Sequence, residues 1–258
     1  MNTWHFDEHE NSLRWHDVHA GDMPLIFVHG LGCASSSDYV RVVTSPEYPS
    51  IRSWLVDLPG SGFSDKPDCE DYGSSAQAFL LQRWICAQDT SRLALFGHSA
   101  GAFVALKLAA LMPSSIERLI LCAPGMNDYG VLMLQKIALM SQPEFIDTGF
   151  SRLLAHLKEA GGNDAWLGPL RMCSARAVYQ WALSALEDNA APWRETLAAL
   201  PMPKSVILPD SARAADIEGF QRADCRVELI AHCRHMIAYD NPDELAAAIS
   251  RSCSAGMP

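Results

Sequence analysis

Residues 93–110 read LALFGHSAGAFVALKLAA, and three textures follow one another within this stretch. An uncharged aliphatic run gives way to Gly97-His98-Ser99-Ala100-Gly101, and then to an Ala- and Leu-rich segment in which Phe103, Leu106, Ala110 and Leu111 fall near one helical face. The aliphatic run predicts a strand buried on both faces, and the periodic segment predicts a helix. A serine between them, with small residues on either side, sits on a tight and strained strand-to-helix turn. Its Oγ then projects at the top of the sheet, beside the amino end of the helix. That is where a nucleophilic serine is needed.

Outward from this turn the same alternation recurs. PLIFVHG, SWLVDLPG and RLILCAPG are further near-continuous apolar runs ending in Gly or Pro-Gly, and SAQAFLLQRWICAQD is a helical segment between two of them. TWHFDE and LRWHDVHA predict a polar N-terminal hairpin joined through HEN. Strands alternating with helices predict an α/β fold with a mostly parallel central sheet, flanking helices and right-handed crossovers. Between 126 and 202 the texture changes to Met, Leu and Trp at helical spacing, broken at Gly161-Gly162 and Gly168-Pro169, with no strand pattern. After LPMP the strand pattern resumes with SVIL and RVELIAH, followed by the helix PDELAAAIS. The chain therefore divides into a core of residues 1–125 and 203–258 and a helical cap inserted at 126–202. The insertion follows the carboxyl end of a parallel strand, where α/β sheets keep their ligand sites. Its apolar residues serve equally well as a core of its own.

Composition narrows the partners. The formal net charge of −10 argues against nucleic acid or an anionic membrane, which require clustered Lys and Arg. No apolar run approaches the roughly 18–20 residues of a membrane span, and the polar start MNTWHFDEHENSLRWHD does not resemble a signal peptide. The eight cysteines include no CxxC pair, and several sit in apolar runs such as LILCAP. Free thiols in a reducing cytoplasm are expected, with no metal site and no cofactor. The expected partner is a small molecule, and the chain is expected to be a monomer or homodimer.

A nucleophilic serine requires donors for the oxyanion it creates and a base to take its proton. The amide of Ala100 supplies one donor. The sequence PLIFVHGLGCASS supplies the other through Leu31, with Gly30 and Gly32 letting the backbone fold close. Among nine histidines, His5, His9, His16 and His19 belong to the N-terminal hairpin, and His29 orients the oxyanion loop. His98 is the variable residue of the serine turn. His235, in the loop between the last strand and the last helix, fits the base, while His232 lies nearer the strand end and reads as structural.

The order HGLG, DLPGSGFSDKP, GHSAG, helical insertion and HMIAYDNPDEL resembles the α/β-hydrolase superfamily, in its cap-bearing esterase, epoxide hydrolase and haloalkane dehalogenase branch. The resemblance covers almost the entire chain and is specific for the fold but not for the substrate. It implies a triad acid that orients the histidine, usually on a Gly-x-x-Asp turn after the first strand beyond the cap. Here that position holds Ala212. Asp210 stands one residue after the strand, Asp216 further on, and Asp128 beyond the strand that precedes the cap, where Ala123 is the strand-end residue. Asp210 is the leading candidate and Asp128 the alternative. The aspartates of DLPGSGFSDKP read as structural. A serine at 99, where the dehalogenases and epoxide hydrolases carry aspartate, disfavours an alkyl-enzyme route. The implied activity is a serine esterase acting on a small ester, lactone or thioester, with His98, Leu132, Met133, Met126, Met140, Trp166 and Trp181 as candidates to line the substrate site. Two alternatives are a carbon–carbon bond hydrolase with the same constellation and a non-catalytic small-molecule receptor.

Overall fold

The computed structural model describes residues 1–68, 70–125 and 128–254, with residues 128–130 described by backbone alone. Eight strands form one sheet: β1 (Asn2–His5), β2 (Ser12–Val18), β3 (Leu25–Val28), β4 (Ser53–Asp57), β5 (Leu93–His98), β6 (Ile116–Cys122), β7 (Lys204–Pro209) and β8 (Cys225–Ile230). Their order is β1-β2-β4-β3-β5-β6-β7-β8. The pairs β1–β2 and β2–β4 are antiparallel, and the remaining neighbours are parallel. The predicted N-terminal hairpin and mostly parallel sheet are both present.

The aliphatic runs form interior strands because both of their faces are covered. In β3, Leu25 and Phe27 join a cluster with Leu55, Phe96, Ile120 and Ile249, while Ile26 and Val28 join Trp54, Val56, Leu95 and Trp84 on the other side. Successive strand residues point to opposite faces, so a strand covered twice has no position at which a polar residue is cheap. At the sheet edge β8 reads CRVELI: Cys225 and Ile230 at its ends are buried, while Arg226 and Leu229 are exposed.

Two short helical turns, α1 (Ser35–Asp38) and α2 (Val40–Val43), follow β3, and α3 (Ser74–Cys86) and α4 (Gly101–Leu111) flank β5 in the chain. Six described helices and a π turn (Phe145–Gly149) lie between β6 and β7: α5 (Asp128–Ala138), α6 (Gln142–Glu144), α7 (Phe150–Ala160), α8 (Asp164–Leu170), α9 (Ala175–Ala190) and α10 (Trp193–Ala199), with α6 a single turn. Ser141 and Ser174 cap α6 and α9 by accepting from the Glu144 and Ala177 amides. The apolar faces of this insertion do not form a separate core: Phe145, Leu157, Leu170 and Trp181 belong to the same cluster as Val28 and Trp84. Polar contacts seat it as well, including Ser74 N to Ser184 Oγ at 2.9 Å and Lys107 Nζ to Asp188 Oδ1 at 2.9 Å. Beyond the insertion come α11 (Ala214–Arg222), α12 (Ile237–Asp240) and α13 (Pro242–Ser254). Every cysteine among the described residues is a free thiol.

The aspartates of the 57–67 loop hold backbone in place. Asp57 is fully buried and accepts from Ser36 N, Ser36 Oγ and Phe63 N at 2.7–2.9 Å, and Asp65 accepts from Ser12 N at 2.8 Å. The tightest approach in the core is at the start of α4. A Cβ on Gly101 would meet the His29 carbonyl oxygen and lie 2.7 Å from that of Val28, both of them backbone atoms that cannot swing aside. Gly101→Ala is therefore expected to cost about 1–3 kcal/mol or more by overpacking, read as a lower urea midpoint with an unchanged slope.

Candidate active site

Ser99 occupies the turn between β5 and α4 with φ of 53°, a left-handed conformation that costs a non-glycine residue about 1–3 kcal/mol. The turn is held by Ser99 N donating to Cys122 O on β6 at 3.0 Å. Ser99 Oγ lies 2.8 Å from His235 Nε2. His235 comes from the loop between β8 and α12, three strands away from β5 in the sheet order, so this loop crosses the ends of β7 and β6 to reach the serine.

Several bonds hold that loop. His98 Nε2–H donates to the His235 carbonyl at 3.0 Å, which fixes the His98 tautomer. Burial, with the neighbouring His235, pushes the His98 imidazole down to about 3, so it stays neutral. Arg234 N donates to Asp240 Oδ2 at 2.8 Å, and Asn241 Nδ2 donates to Ala231 O at 3.0 Å. Tyr239 OH donates to Asp38 Oδ1 at 2.8 Å, tying α12 to α1; burial raises the Asp38 carboxyl to about 6. His235 itself lies below the ordinary imidazole range, and burial is the cause among the described residues.

The second loop at the site follows β3. His29, fully buried, donates from Nδ1 to Gly30 O at 2.8 Å and accepts at Nε2 from Leu58 N at 3.0 Å, so it fixes the entry to the loop. Leu31 and Ala100 border the cavity that holds Ser99, and neither amide is used by a backbone acceptor among the described residues. The Leu31 carbonyl accepts from Trp166 Nε1 at 2.8 Å, a bond from α8 of the insertion. Gly32 has φ of 69°, and a Cβ there would lie 2.6 Å from Leu170 Cδ1 and 2.7 Å from Trp166 Nε1. The insertion thus lies directly on the loop that carries Leu31.

The cavity at Ser99 has a volume of about 270 Å³ and is walled mostly by Met133, Leu134, Ile137, Trp166 and Met236, with Asn163, Arg234 and Asp240 as its polar members. Among the described residues no group of three His, Cys, Asp or Glu side chains is placed to hold a metal ion. No described helix is long and apolar enough to cross a membrane.

The structure brings Ser99, His235, Leu31, Ala100, Met133, Trp166 and His98 to this cavity. His98 borders the cavity as expected, though it is 95% covered, and it also bonds the His235 backbone. Asp210 is not brought to His235. Its amide continues the β7–β8 ladder by donating to Ile230 O at 2.9 Å, its side chain is exposed, and no hydrogen bond joins it to His235 among the described residues. Asp216 lies in α11, paired with Arg213 at 2.8 Å. Trp181 and Met140 do not line the cavity either. Trp181 is buried edge-on to His29 at 5.8 Å, and Met140 packs within the insertion, its carbonyl accepting from Tyr179 OH at 2.8 Å. Met126 and the Asp128 side chain lie outside the described residues. Asn163, Arg234 and Asp240 had no sequence signal: each is a polar residue in a loop or at a helix end, indistinguishable from many others until the fold collects them.

Comparison with known proteins agrees with this architecture. Residues 25–248 match the model of the alpha/beta hydrolase family. An abhydrolase domain-containing protein of Caenorhabditis elegans is 25% identical over 143 residues, covering 54% of this chain and 32% of its own. A 2-hydroxy-6-oxononadienedioate/2-hydroxy-6-oxononatrienedioate hydrolase of Paraburkholderia phymatum is 30% identical over 118 residues, covering 45% of this chain and 41% of its own. The chain thus spans well under half the length of these curated relatives. The solved structure of an esterase from Thermogutta terrifontis superposes with a TM-score of 0.71 over 95% of this chain and 93% of that one, at 19% identity, a likeness of fold. With the family model covering six of the eight described strands, and with the serine turn and histidine loop at the sheet's carboxyl edge, the chain belongs to the alpha/beta hydrolase family.

Proposed function

We propose that the chain is a serine hydrolase cleaving a small ester, lactone or thioester through an acyl-enzyme intermediate. The observation that carries this reading is the 2.8 Å approach of His235 Nε2 to Ser99 Oγ on a left-handed turn. His235 takes the Ser99 proton as Oγ attacks the carbonyl carbon, and the Leu31 and Ala100 amides receive the negative oxygen. The imidazolium returns the proton to the leaving oxygen or sulfur. Water then attacks the acyl-enzyme through the same base and releases the acid. Each oxyanion donor is worth about 10²–10³ in kcat, so two of them with a histidine give substantial catalysis even where the orienting acid is poor. The apolar cavity suits an apolar acyl group. A second reading, hydrolysis of a carbon–carbon bond by the same residues, is favoured by the likeness to the Paraburkholderia hydrolase.

A fluorophosphonate probe is expected to label the wild type and to leave Ser99→Ala unlabelled, while activated esters of graded chain length lose at least about 10³-fold in rate in that variant. No labelling of the folded wild type would sink the serine-hydrolase reading. Asp210→Asn is expected to keep kcat within about threefold of wild type, and a drop of tenfold or more would restore Asp210 as the orienting acid.

The base must be neutral to act, and burial disfavours its charged form. The acid limb of kcat/KM is therefore expected to have its midpoint below the ordinary imidazole value of 6.5. A midpoint at or above that value would reveal a carboxylate acting on the imidazole.

Trp166→Phe keeps an aromatic, though smaller, side chain and removes the N–H that holds the Leu31 carbonyl. It is expected to lower kcat about tenfold while KM moves less than about twofold, because the Leu31 amide matters most in the transition state. A change confined to KM would show that Trp166 acts only as cavity wall.

A further inference from the structure

A second cleft, of about 820 Å³, adjoins the cavity at Ser99, and Gly125, Arg234 and His235 belong to the walls of both. Their chemistry differs. Ser99, Leu31 and Ala100 line only the inner cavity, whose other walls are largely apolar. The outer cleft carries Arg194, Arg213 and Arg234, with Trp193 and Phe220 beside them. Three arginines around one cleft run against the composition of a chain with 20 basic and 30 acidic residues. Among its described walls, Asp216 is the carboxylate, and Arg213 engages it at 2.8 and 3.4 Å. Arg194 stands farther off, 3.8 Å from Asp216, with its guanidinium 4.5 Å from the Trp193 ring and 5.9 Å from that of Phe220. Aromatic faces that hold a guanidinium in place reduce the side-chain entropy lost when it binds an anion. Its planar fork suits carboxylate or phosphate oxygens.

The catalytic sequence proposed above assigns the two spaces. The acyl carbon must sit against Ser99 and the oxyanion amides, so the acyl group occupies the inner cavity. The leaving oxygen or sulfur takes its proton from His235, so the leaving group stands on the histidine side, where the outer cleft opens. We infer that the substrate joins an apolar acyl group to an alcohol or thiol bearing a carboxylate or phosphate, and that Arg194 and its neighbours in the outer cleft receive this anionic leaving group. This rests on the serine-hydrolase reading and adds the charge and placement of the leaving group to it.

The test compares 4-nitrophenyl hexanoate with 3-carboxy-4-nitrophenyl hexanoate, which share an acyl group and differ in leaving-group charge. In low salt the wild type is expected to show a kcat/KM at least about tenfold higher for the carboxylated ester, an advantage that shrinks as salt screens the arginines. Arg194→Gln is expected to lower kcat/KM at least about fivefold for the anionic ester and less than about twofold for the neutral one. Ala212→Glu adds a negative charge to the same cleft without disturbing the Trp193 stack, and it is expected to give the same selective loss. Equal hydrolysis of both esters by the wild type and both variants, at any salt, overturns the anionic leaving group and leaves the serine hydrolase standing. Failure to hydrolyse either ester, together with no probe labelling at Ser99, overturns both.

Discussion

The amino end of α4 lies against the carbonyls of Val28 and His29 at the end of β3, a contact possible only because Gly101 has no side chain. The arrangement at the site depends on this approach. It brings the turn that carries Ser99 beside the loop that carries Leu31, so Ser99, Ala100 and Leu31 border one cavity. It also requires a small residue at the very point where the chain leaves a strand and enters a helix, and it leaves Ser99 in a left-handed conformation anchored by its amide to Cys122 O. The strain of that serine is offset by ladder bonds to β6 and by a helix buried along most of its length.

The histidine is positioned by a different means. Its loop crosses the ends of two strands and is held by side chains rather than by a ladder: His98 on its carbonyl, Asp240 on the Arg234 amide, and Asp38 on Tyr239. Two of these holders are buried groups whose protonation the surroundings control. Burial keeps His98 neutral, as its role of single donor to a carbonyl requires. Burial also raises Asp38 to about 6, so above that value the protein keeps a charged carboxylate, with Tyr239 OH and Ser37 Oγ as its donors, in a low-dielectric site. The same reduction of solvent at His235 favours the neutral imidazole.

The insertion meets the loop after β3 through one bond and one close approach. Trp166 holds the Leu31 carbonyl, and Trp166 and Leu170 cover Gly32 so closely that only glycine fits beneath them. A segment that sequence periodicity describes as helices with apolar faces is therefore continuous with the core, and its position bears on the orientation of an amide across from the serine. It also divides the space above the sheet into an apolar cavity and an arginine-lined cleft that meet at His235.

Local sequence determined the elements and the order in which they meet. The uncharged runs LIFV and LALFGH could only be strands covered on both faces, and a serine between small residues at a strand-to-helix junction could only project from the sheet's edge. Spacing along the chain singled out His235 among nine histidines, because its place before the last helix is a matter of chain order. The residues around these two obey no local pattern. Asp210 looked like an acid because it follows a strand, but its side chain is exposed and no hydrogen bond joins it to His235 among the described residues. Trp181 and Met140 looked like substrate walls because they are large and apolar, a description that fits core residues equally well. Trp166, Arg194 and Arg234 acquire their roles only from neighbours 135, 22 and 6 positions away in the chain, at Leu31, Asp216 and Asp240. Backbone preference and burial are written residue by residue, so the sequence alone carries them. Which side chains share a cavity depends on packing between distant segments, and only the tertiary structure decides that.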